Sequence, residues 1–234
     1  MMVARGDLGV EMALEKVPFI QKSIIQRARQ AGKFVITATQ MLDSMMDRPY
    51  PTRAEVSDVA NAIYDGTDAV MLSGETAAGK YPLEAAQIMA RIAAEAETSV
   101  RFREFPRRET STNADVVADA AYRAAQAVNA QAIVVFTATG STARLVSRFR
   151  PSVPIYAFTP NDATARQLQV SFGVRAVIAP DRSSTDEMLQ QVDFMLMQNG
   201  CLKTGNTVVF VAGQPIGRPG TTNLMKLHRV GELH

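Results

Sequence analysis

The 234-residue sequence predicts an α/β protein made of two consecutive pieces. Short apolar runs alternate with stretches of helical period along almost the whole chain, which is typical of parallel strands joined by crossover helices. Apolar residues make up 47% and charged residues 21%, as in an ordinary globular protein. The alternation breaks once, at a charged segment containing a proline, residues 100–112, which we interpret as a linker.

The first piece, residues 1–99, reads as three strand–helix units. The predicted strands are residues 1–5, 34–39 and 69–72, and the predicted helices are residues 15–30, 52–64 and 81–99. Thr52 and Glu55 have the spacing of a capping box, and Pro82 falls in a first helical turn, where proline is tolerated. A (β/α)8 barrel takes about 250 residues, so this piece holds less than half of one. We expect its strand edges to pair with other strands, or the piece to be unstable alone.

The second piece, residues 113–234, has the usual size of a self-sufficient domain. The predicted helices are residues 114–128, 142–149, 163–172 and 185–198, and the predicted strands are residues 132–137, 154–158, 175–178, 207–211 and 224–229. Helices between apolar strands imply a doubly wound α/β domain with a mainly parallel sheet.

Composition excludes several classes of function. The net charge is +2, which gives no electrostatic case for a nucleic-acid or membrane partner. No apolar run approaches the roughly 18 residues of a membrane span. Two histidines are too few for a site built from several imidazoles. With one cysteine and no signal-peptide pattern, we expect a cytoplasmic protein without an internal disulfide.

Polar residues follow each strand of the first piece, at the end where parallel α/β proteins gather their functional groups. They are Arg5-Gly6-Asp7, Thr39-Gln40 and Ser73-Gly74-Glu75-Thr76. Asp7 or Glu75 is a candidate Mg²⁺ ligand, and Gly6 lets backbone N–H groups approach an anion. Each motif alone is also ordinary turn chemistry, but three such ends on consecutive units favour a site.

Four long segments carry a resemblance to a known family. They are MVARGDLGVE (residues 2–11), ITATQMLDSM (36–45), PTRAEVSDVAN (51–61) and DAVMLSGETA (68–77). In this order and spacing they resemble the active-site segments of pyruvate kinases, and the match continues through residues 217–223. The resemblance implies the last three strand–helix units of a partial (β/α)8 barrel, followed by the family's C-terminal domain.

The resemblance implies a role for each strand end of the first piece. Asp7 would ligate the Mg²⁺ (or Mn²⁺) between the carboxylate of phosphoenolpyruvate and the transferring phosphoryl group. Thr39 would lie beside the enolpyruvate carbon and help deliver the proton that gives pyruvate, with Ser73 and Glu75 supporting that route. The substrate carboxylate would bind at Ala4, Arg5, Gly6 and Asp7.

The resemblance also implies what other parts of such an enzyme supply. In the family, earlier segments provide a second Mg²⁺ carboxylate, a lysine on the transferring phosphate, the K⁺ ligands and a lid over ADP. None of these lies in this sequence, so we expect the chain alone to have no meaningful kinase activity. The helix that begins at Arg53 resembles a subunit contact near the active site, although its spacing alone favours an ordinary capped helix.

A second candidate site lies in the second piece, where TATGST (residues 137–142) follows a strand and opens a helix. Hydroxyls and N–H groups at a helix start suit a phosphate, although a Ser/Thr-capped helix without ligand explains the pattern equally well. The resemblance implies that this segment holds the phosphate of an activating effector. The candidate residues are Thr137, Thr139, Gly140, Ser141, Thr142 and Arg218. A sugar bisphosphate, a sugar monophosphate and AMP all stay open as the effector.

Three hypotheses follow for the function. The first is a portion of a pyruvate kinase, a phosphotransferase acting on phosphoenolpyruvate/pyruvate and ADP/ATP. The second is a module that only binds a phosphorylated metabolite. The third is a subunit whose barrel is completed by another polypeptide. The resemblance also implies a homo-oligomer.

Overall fold

The computed structural model describes residues 1–98, 112–216 and 220–232. Contacts divide the chain into two compact units, Met1–Glu104 and Phe105–His234. Apart from Thr112, the predicted linker at residues 100–112 lies outside the described residues, and so does Arg218. Both units alternate strands with helices, and this α/β class was predicted from the sequence. None of the described helices is both long and apolar enough to span a membrane.

A parallel sheet of three short strands in the order β1-β2-β3 forms the centre of the first unit. The strands are β1 (Met2–Ala4), β2 (Ile36–Ala38) and β3 (Ala69–Met71). The helices are α1 (Arg5–Glu11), α2 (Val17–Gln30), α3 (Arg53–Tyr64), α4 (Gly74–Ala77) and α5 (Pro82–Glu97), with 3₁₀ turns at Leu14–Lys16 and Asp43–Met46. Ala4 pairs with Ala38, and Ala38 pairs with Met71, so the three strands end at the same level.

Local chemistry explains where these elements begin. Strand β1 buries Val3 against Ile25 and Ala28 of α2 in an apolar cluster. Helix α3 begins with the predicted capping box: the Thr52 hydroxyl accepts the N–H of Glu55, whose carboxylate accepts the N–H of Thr52. Helix α5 begins at Pro82, whose missing N–H costs nothing in a first turn.

Two short helices at the strand ends depart from the prediction. The sequence pattern predicts no helix at Gly6-Asp7 or at Ser73-Gly74, where turn chemistry was one explanation, whereas α1 starts directly after β1 and α4 starts at Gly74. Helices of seven and four residues carry too few periodic apolar positions to be recognised from spacing. The predicted strand at residues 1–5 is correspondingly too long, because Arg5 is already helical.

A five-stranded sheet in the order β6-β5-β4-β7-β8 lies at the centre of the second unit. The strands are β4 (Ala132–Phe136), β5 (Ile155–Thr159), β6 (Val174–Ile178), β7 (Thr207–Gly213) and β8 (Thr222–Arg229). The helices are α6 (Asn113–Ala127), α7 (Ser141–Ser147), α8 (Asp162–Leu168) and α9 (Thr185–Gln198). The predicted helix at residues 163–172 is too long, since a turn before Gly173 replaces its last residues.

Alternate residues of the strands fill two apolar layers, one on each face of this sheet. Ile133 and Val135 pack with α6, α7 and α8, whereas Ala132 and Val134 pack with α9. All strand pairs are parallel except β7 with β8. The chain proceeds from β4 to β5 on one side and returns to β7 on the other, which makes the gap beyond β4 a topological switch point, where such sheets bind ligands.

Candidate functional site

The ends of β1 and β2 meet through a direct hydrogen bond. The backbone N–H of Gly6 donates to Oγ1 of Thr39 over 2.8 Å. Gly6 lies in the first turn of α1, where backbone N–H groups have no partner within the helix. The Thr39 hydroxyl therefore has a fixed direction, toward the start of α1.

Thr39 and Gln40 both adopt left-handed backbone conformations, with φ of 68° and 51°. This region is uncommon for non-glycine residues, and a β-branched threonine there is an outlier. Each such residue costs on the order of 1–3 kcal/mol, so the surrounding contacts must hold the segment in place.

The Arg5 side chain supplies those contacts. Its Nε and Nη2 donate to the carbonyl oxygen of Thr39 at 3.2 and 2.7 Å, and Nη2 also donates to the carbonyl oxygen of Gln40 at 2.9 Å. Its Nη1 lies 2.5 Å from Oδ2 of Asp58 on α3. Arg5, predicted as a substrate-binding residue, therefore directs its side chain to the Thr39 loop and to α3.

Glu75 joins the end of β3 to the same loop. Its Oε1 accepts the N–H of Leu42 at 3.0 Å, and its Oε2 accepts the N–H of Ser73 at 2.8 Å. The residue is 2% exposed. Burial opposes its charge, but backbone N–H donors that include Ser73 and Leu42 outweigh burial and hold the pKa of Glu75 below its ordinary value. Glu75 is thus an ionised carboxylate whose two oxygens tie two loops together.

Glu55 holds the far end of the loop after β2. Its carboxylate accepts the N–H of Ser44 at 2.7 Å and the Ser44 hydroxyl at 2.6 Å, in addition to capping α3. Burial opposes the charge, but bonds from Ser44 and Thr52 lower the pKa of Glu55. Three side chains therefore fix the segment from Thr39 to Ser44: Arg5, Glu55 and Glu75.

Asp7 differs from these groups because its side chain is exposed. It lies one residue after Gly6, in the first turn of α1. Throughout the described ranges, no three His, Cys, Asp or Glu side chains form a group able to hold a metal ion. Asp7 is thus an accessible carboxylate next to Gly6, whose N–H binds the Thr39 hydroxyl.

Sequence reasoning identified the three strand ends but missed what connects them. The candidates did not include Asp58, Leu42 or Ser44. The partner of each lies elsewhere in the chain, and Leu42 contributes only its backbone N–H. Arg5 and Asp58 are 53 residues apart, and Leu42 and Glu75 are 33 apart. The spacing of Thr52 and Glu55 was the only local signal of this network.

The second candidate site is a cavity at the switch point of the second unit. Residues after β4, after β5 and at the end of β7 line it, together with Thr221 and Thr222. The lining includes Thr137, Thr139, Ser141 and Thr142 of the predicted effector segment, and also Gly213 at the end of β7 and Gly220 shortly before β8. Two segments that are far apart in the sequence therefore border one cavity.

Hydroxyl groups in this cavity are of two kinds. The Thr137 hydroxyl accepts the N–H of Gly140 at 2.9 Å, and the buried Thr142 hydroxyl lies 2.7 Å from that of Thr222. These two bonds shape the loop. The hydroxyls of Thr139 and Ser141, 3.2 Å apart, lie on its accessible side.

Gly140 is required by its backbone. Its φ is +79°, and a Cβ there would come within 2.7 Å of an Arg144 nitrogen and 3.0 Å of Leu168. A side chain would therefore be strained in this backbone conformation, and the Arg144 and Leu168 side chains would have to move to make room for it.

Two family models match this chain. The model for the pyruvate kinase barrel domain matches residues 1–86, and the model for the pyruvate kinase alpha/beta domain matches residues 115–228. Together they include both candidate sites described above.

Proteins named pyruvate kinase are similar over the whole chain. The one from Clostridium acetobutylicum is 48% identical over 98% of this chain and 49% of its own length. The one from Geobacillus stearothermophilus is 48% identical over all of this chain and 40% of its own length. A crystal structure of a pyruvate kinase from Cryptosporidium parvum superposes with a TM-score of 0.85 at 38% identity, over 98% of this chain and 46% of that one. The chain therefore spans less than half the length of these relatives.

Proposed function

Because this chain belongs to the pyruvate kinase family, we propose that its first unit carries part of a site for phosphoryl transfer. The reaction moves the phosphoryl group of phosphoenolpyruvate to ADP and gives pyruvate and ATP, the last step of glycolysis. The observation that supports this most is the bond between Gly6 and Thr39, which brings an N–H-rich helix start and a hydroxyl to one place. Such a place suits a small anion that must accept a proton.

Asp7 is the residue we propose as the Mg²⁺ (or Mn²⁺) ligand. Mg²⁺ typically takes one or two protein carboxylates and completes its shell with water and substrate oxygens. The exposed carboxylate of Asp7 fits one such position, whereas both oxygens of Glu75 already accept backbone N–H groups. A bound cation there would neutralise charge on the substrate. The K⁺ ligands and a second Mg²⁺ carboxylate would come from residues outside this chain.

Substrate binding is proposed at the helix start of Ala4, Arg5, Gly6 and Asp7. A helix start favours an anion through its free N–H groups. The N–H of Gly6 already donates to Thr39, so the N–H groups beside it are the ones left to bind the carboxylate. The Thr39 side chain would then lie beside the bound substrate and help deliver a proton to the substrate carbon. We propose Ser73 and Glu75 as supports of that proton route, with Glu75 acting through the loop that it holds.

In the second unit we propose binding of a phosphorylated effector. The hydroxyls of Thr139 and Ser141, on the accessible side of the loop, support this, as does the position of the cavity at the switch point. Arg218 is a further proposed contact, and it lies outside the described residues. The same hydroxyls and cavity also favour the alternative in which the chain serves as a binding module without turnover.

A chimera tests the phosphotransferase proposal. In it, this chain replaces the matched part of the Geobacillus stearothermophilus relative, and pyruvate formation from phosphoenolpyruvate and ADP is measured with Mg²⁺ and K⁺. We expect turnover, a loss of about 100-fold in kcat for Thr39→Val, and near-normal turnover for Thr39→Ser, which keeps the hydroxyl. A folded chimera without turnover would contradict the proposal and favour the binding module.

Calorimetric titration of the chain tests the effector proposal. Fructose 1,6-bisphosphate, ribose 5-phosphate and AMP represent the three effector classes. We expect saturable binding of one of them, weakened about tenfold or more by Ser141→Ala, because a hydrogen bond to a charged group is lost. Ser152→Ala, an exposed serine outside the cavity, is the matched control. No binding of any of the three would contradict the proposal.

Two further proposals concern the state of the molecule. We propose a homo-oligomer, which light scattering of the purified chain tests directly. We propose the cytoplasm as its location because a single cysteine suits a reducing compartment. Fractionation of the source cells tests this second proposal.

A further inference from the structure

We propose that Asp58 is a positioning residue, which fixes the Thr39 hydroxyl by anchoring the Arg5 side chain. Nothing in the sequence pattern assigns Asp58 a role, and its carboxylate does not touch Thr39 itself. Its contact is with Nη1 of Arg5, at 2.5 Å. That this arrangement serves proton delivery rests on the phosphotransferase function proposed above, whereas the arrangement itself stands on contacts within the first unit.

The segment that contains Thr39 and Gln40 would not hold its shape alone. Thr39 and Gln40 are consecutive left-handed residues, and neither is glycine. Relaxation of either toward the ordinary region would rotate the intervening peptide and move Oγ1 of Thr39 away from the Gly6 N–H. The surroundings must therefore supply bonds that exist only in the strained form.

Arg5 supplies those bonds to the backbone. Two of its nitrogens donate to the carbonyl oxygen of Thr39, and one of these also donates to that of Gln40. The same Nη2 lies 2.8 Å from the sulfur of buried Met41. A planar guanidinium that reaches two successive carbonyls fixes the orientation of the peptide between them.

Asp58 gives the guanidinium its one ionic partner among these contacts. The other acceptors are neutral carbonyl oxygens and a thioether, and charge-assisted bonds are about twice as strong as neutral ones. The side chain of Arg5 is 9% exposed and that of Asp58 is 39% exposed. The Arg5 end of the pair is therefore buried, and the Asp58 end on α3 is partly open to solvent. Without the carboxylate, hydration of the Arg5 charge favours a side chain that turns toward solvent. The carbonyl oxygens of Thr39 and Gln40 then lose their donor.

The competing explanation is that the pair is an ordinary, partly exposed ion pair that contributes little. The two explanations differ in what happens at Gly6, which Asp58 does not contact. If Asp58 acts through Arg5 and Thr39, its loss must weaken the bond between the Gly6 N–H and Thr39 Oγ1.

Hydrogen exchange of the Gly6 amide, followed by NMR on the full chain, measures that bond. We expect Asp58→Asn to speed exchange at Gly6 at least tenfold. Asp65→Asn is the matched control, because Asp65 follows α3 and bonds to Lys22 and Gln21 of α2 rather than to Arg5. It should leave Gly6 exchange within twofold of the parent chain.

A second variant tests the route through Arg5. Arg5→Lys should speed exchange as Asp58→Asn does, and adding Asp58→Asn to Arg5→Lys should change it little further, since both break the same chain of contacts. Unchanged exchange at Gly6 in Asp58→Asn, rapid exchange at Gly6 already in the parent chain, or full additivity of the two variants would each overturn the proposal.

The chimera distinguishes a failure of the positioning role of Asp58 from a failure of the proposed phosphotransferase function. With Asp58→Asn we expect kcat to fall at least tenfold while KM stays within threefold. The Thr39 hydroxyl that delivers the proton would be displaced, whereas the groups that bind the substrate would stay in place. A parent chimera without turnover contradicts the phosphotransferase function and leaves the exchange result to decide the positioning role. An active chimera in which Asp58→Asn keeps its kcat contradicts the link between positioning and chemistry.

Discussion

Glu75 is the residue whose contacts explain most about the first unit. Its carboxylate is buried, yet bonds from the N–H groups of Ser73 and Leu42 keep it charged. An ionised group in this setting stabilises the loops that it bonds, and any catalytic effect of Glu75 would follow from that stabilisation. Changing the carboxylate therefore has consequences for folding that can be measured apart from turnover.

We predict that Glu75→Gln lowers the stability of the first unit by about 1–3 kcal/mol. The amide keeps one acceptor oxygen but turns an NH₂ group toward a backbone N–H, so one buried donor loses its acceptor. Native-state hydrogen exchange of the β2 amides measures the loss. Glu95→Gln, the same change at an exposed position on α5, should alter stability by less than about 0.5 kcal/mol. Equal effects of the two substitutions would contradict this role for Glu75.

The stability difference between the parent chain and Glu75→Gln should depend on pH. The pKa of Glu75 is lowered below its ordinary value of 4.5 in the folded chain. Its contribution is therefore complete above pH 4.5 and is lost as the pH falls through the lower, folded-state pKa. The stability difference between the parent chain and Glu75→Gln should shrink as the pH falls below 4.5. A difference that stays constant or grows on acidification would contradict the assignment.

At the scale of elements, Asp115 joins two helices of the second unit. It caps α6 by accepting the N–H and hydroxyl of Thr112, and its other oxygen lies 2.8 Å from Nη1 of Arg148, which follows α7. Burial opposes the charge of Asp115, but the bonds from Thr112 and Arg148 lower its pKa. The pair is almost fully buried, so removing one side chain leaves the other charge buried without this ionic contact.

We predict a graded series of stabilities in the second unit. Asp115→Ala should cost about 3–5 kcal/mol, because it breaks a buried ion pair. Thr112→Ala should cost about 1 kcal/mol, as for the loss of a helix cap. Asp119→Ala, which breaks an exposed pair with Arg123 on the same helix, should cost less than either of these changes. Hydrogen exchange of the β4 amides gives all three values, and a different order would contradict the account.

Periodicity predicted most elements to within a few residues, because long helices and buried strands repeat their apolar positions. It failed at α1 and α4, which are short and begin immediately at the strand ends. Those are also the positions of the candidate site, where Arg5 and Glu75 satisfy partners far along the chain. Local spacing identified the Thr52–Glu55 cap but carried no information on the contact of Asp58 with Arg5.

For the whole molecule, the sequence predicted two α/β pieces but left the strand order of each sheet open. The order β6-β5-β4-β7-β8 places the ends of β4, β5 and β7 around one cavity, so residues 137–142 and the loop after β7 become neighbours. The first unit pairs its strands only with one another among the described residues. Its strand ends bring together the start of α1, the Thr39 hydroxyl and the accessible carboxylate of Asp7.

We propose that these groups are part of a phosphoryl-transfer site rather than all of one. Transfer between two phosphate-bearing substrates needs several positive charges around the transferring group. At the described strand ends Asp7 is the metal ligand we propose, while Arg5 is engaged by Asp58 and by backbone carbonyls. The relatives that contain this region are about twice as long or more.

The rate of pyruvate formation by the purified 234-residue chain tests this central claim most directly. The assay supplies phosphoenolpyruvate, ADP, Mg²⁺ and K⁺, and the chimera with the Geobacillus stearothermophilus relative is measured beside it. We predict turnover by the chimera and none above background by the chain alone. Turnover by the chain alone at a rate near that of the intact relative would contradict the claim.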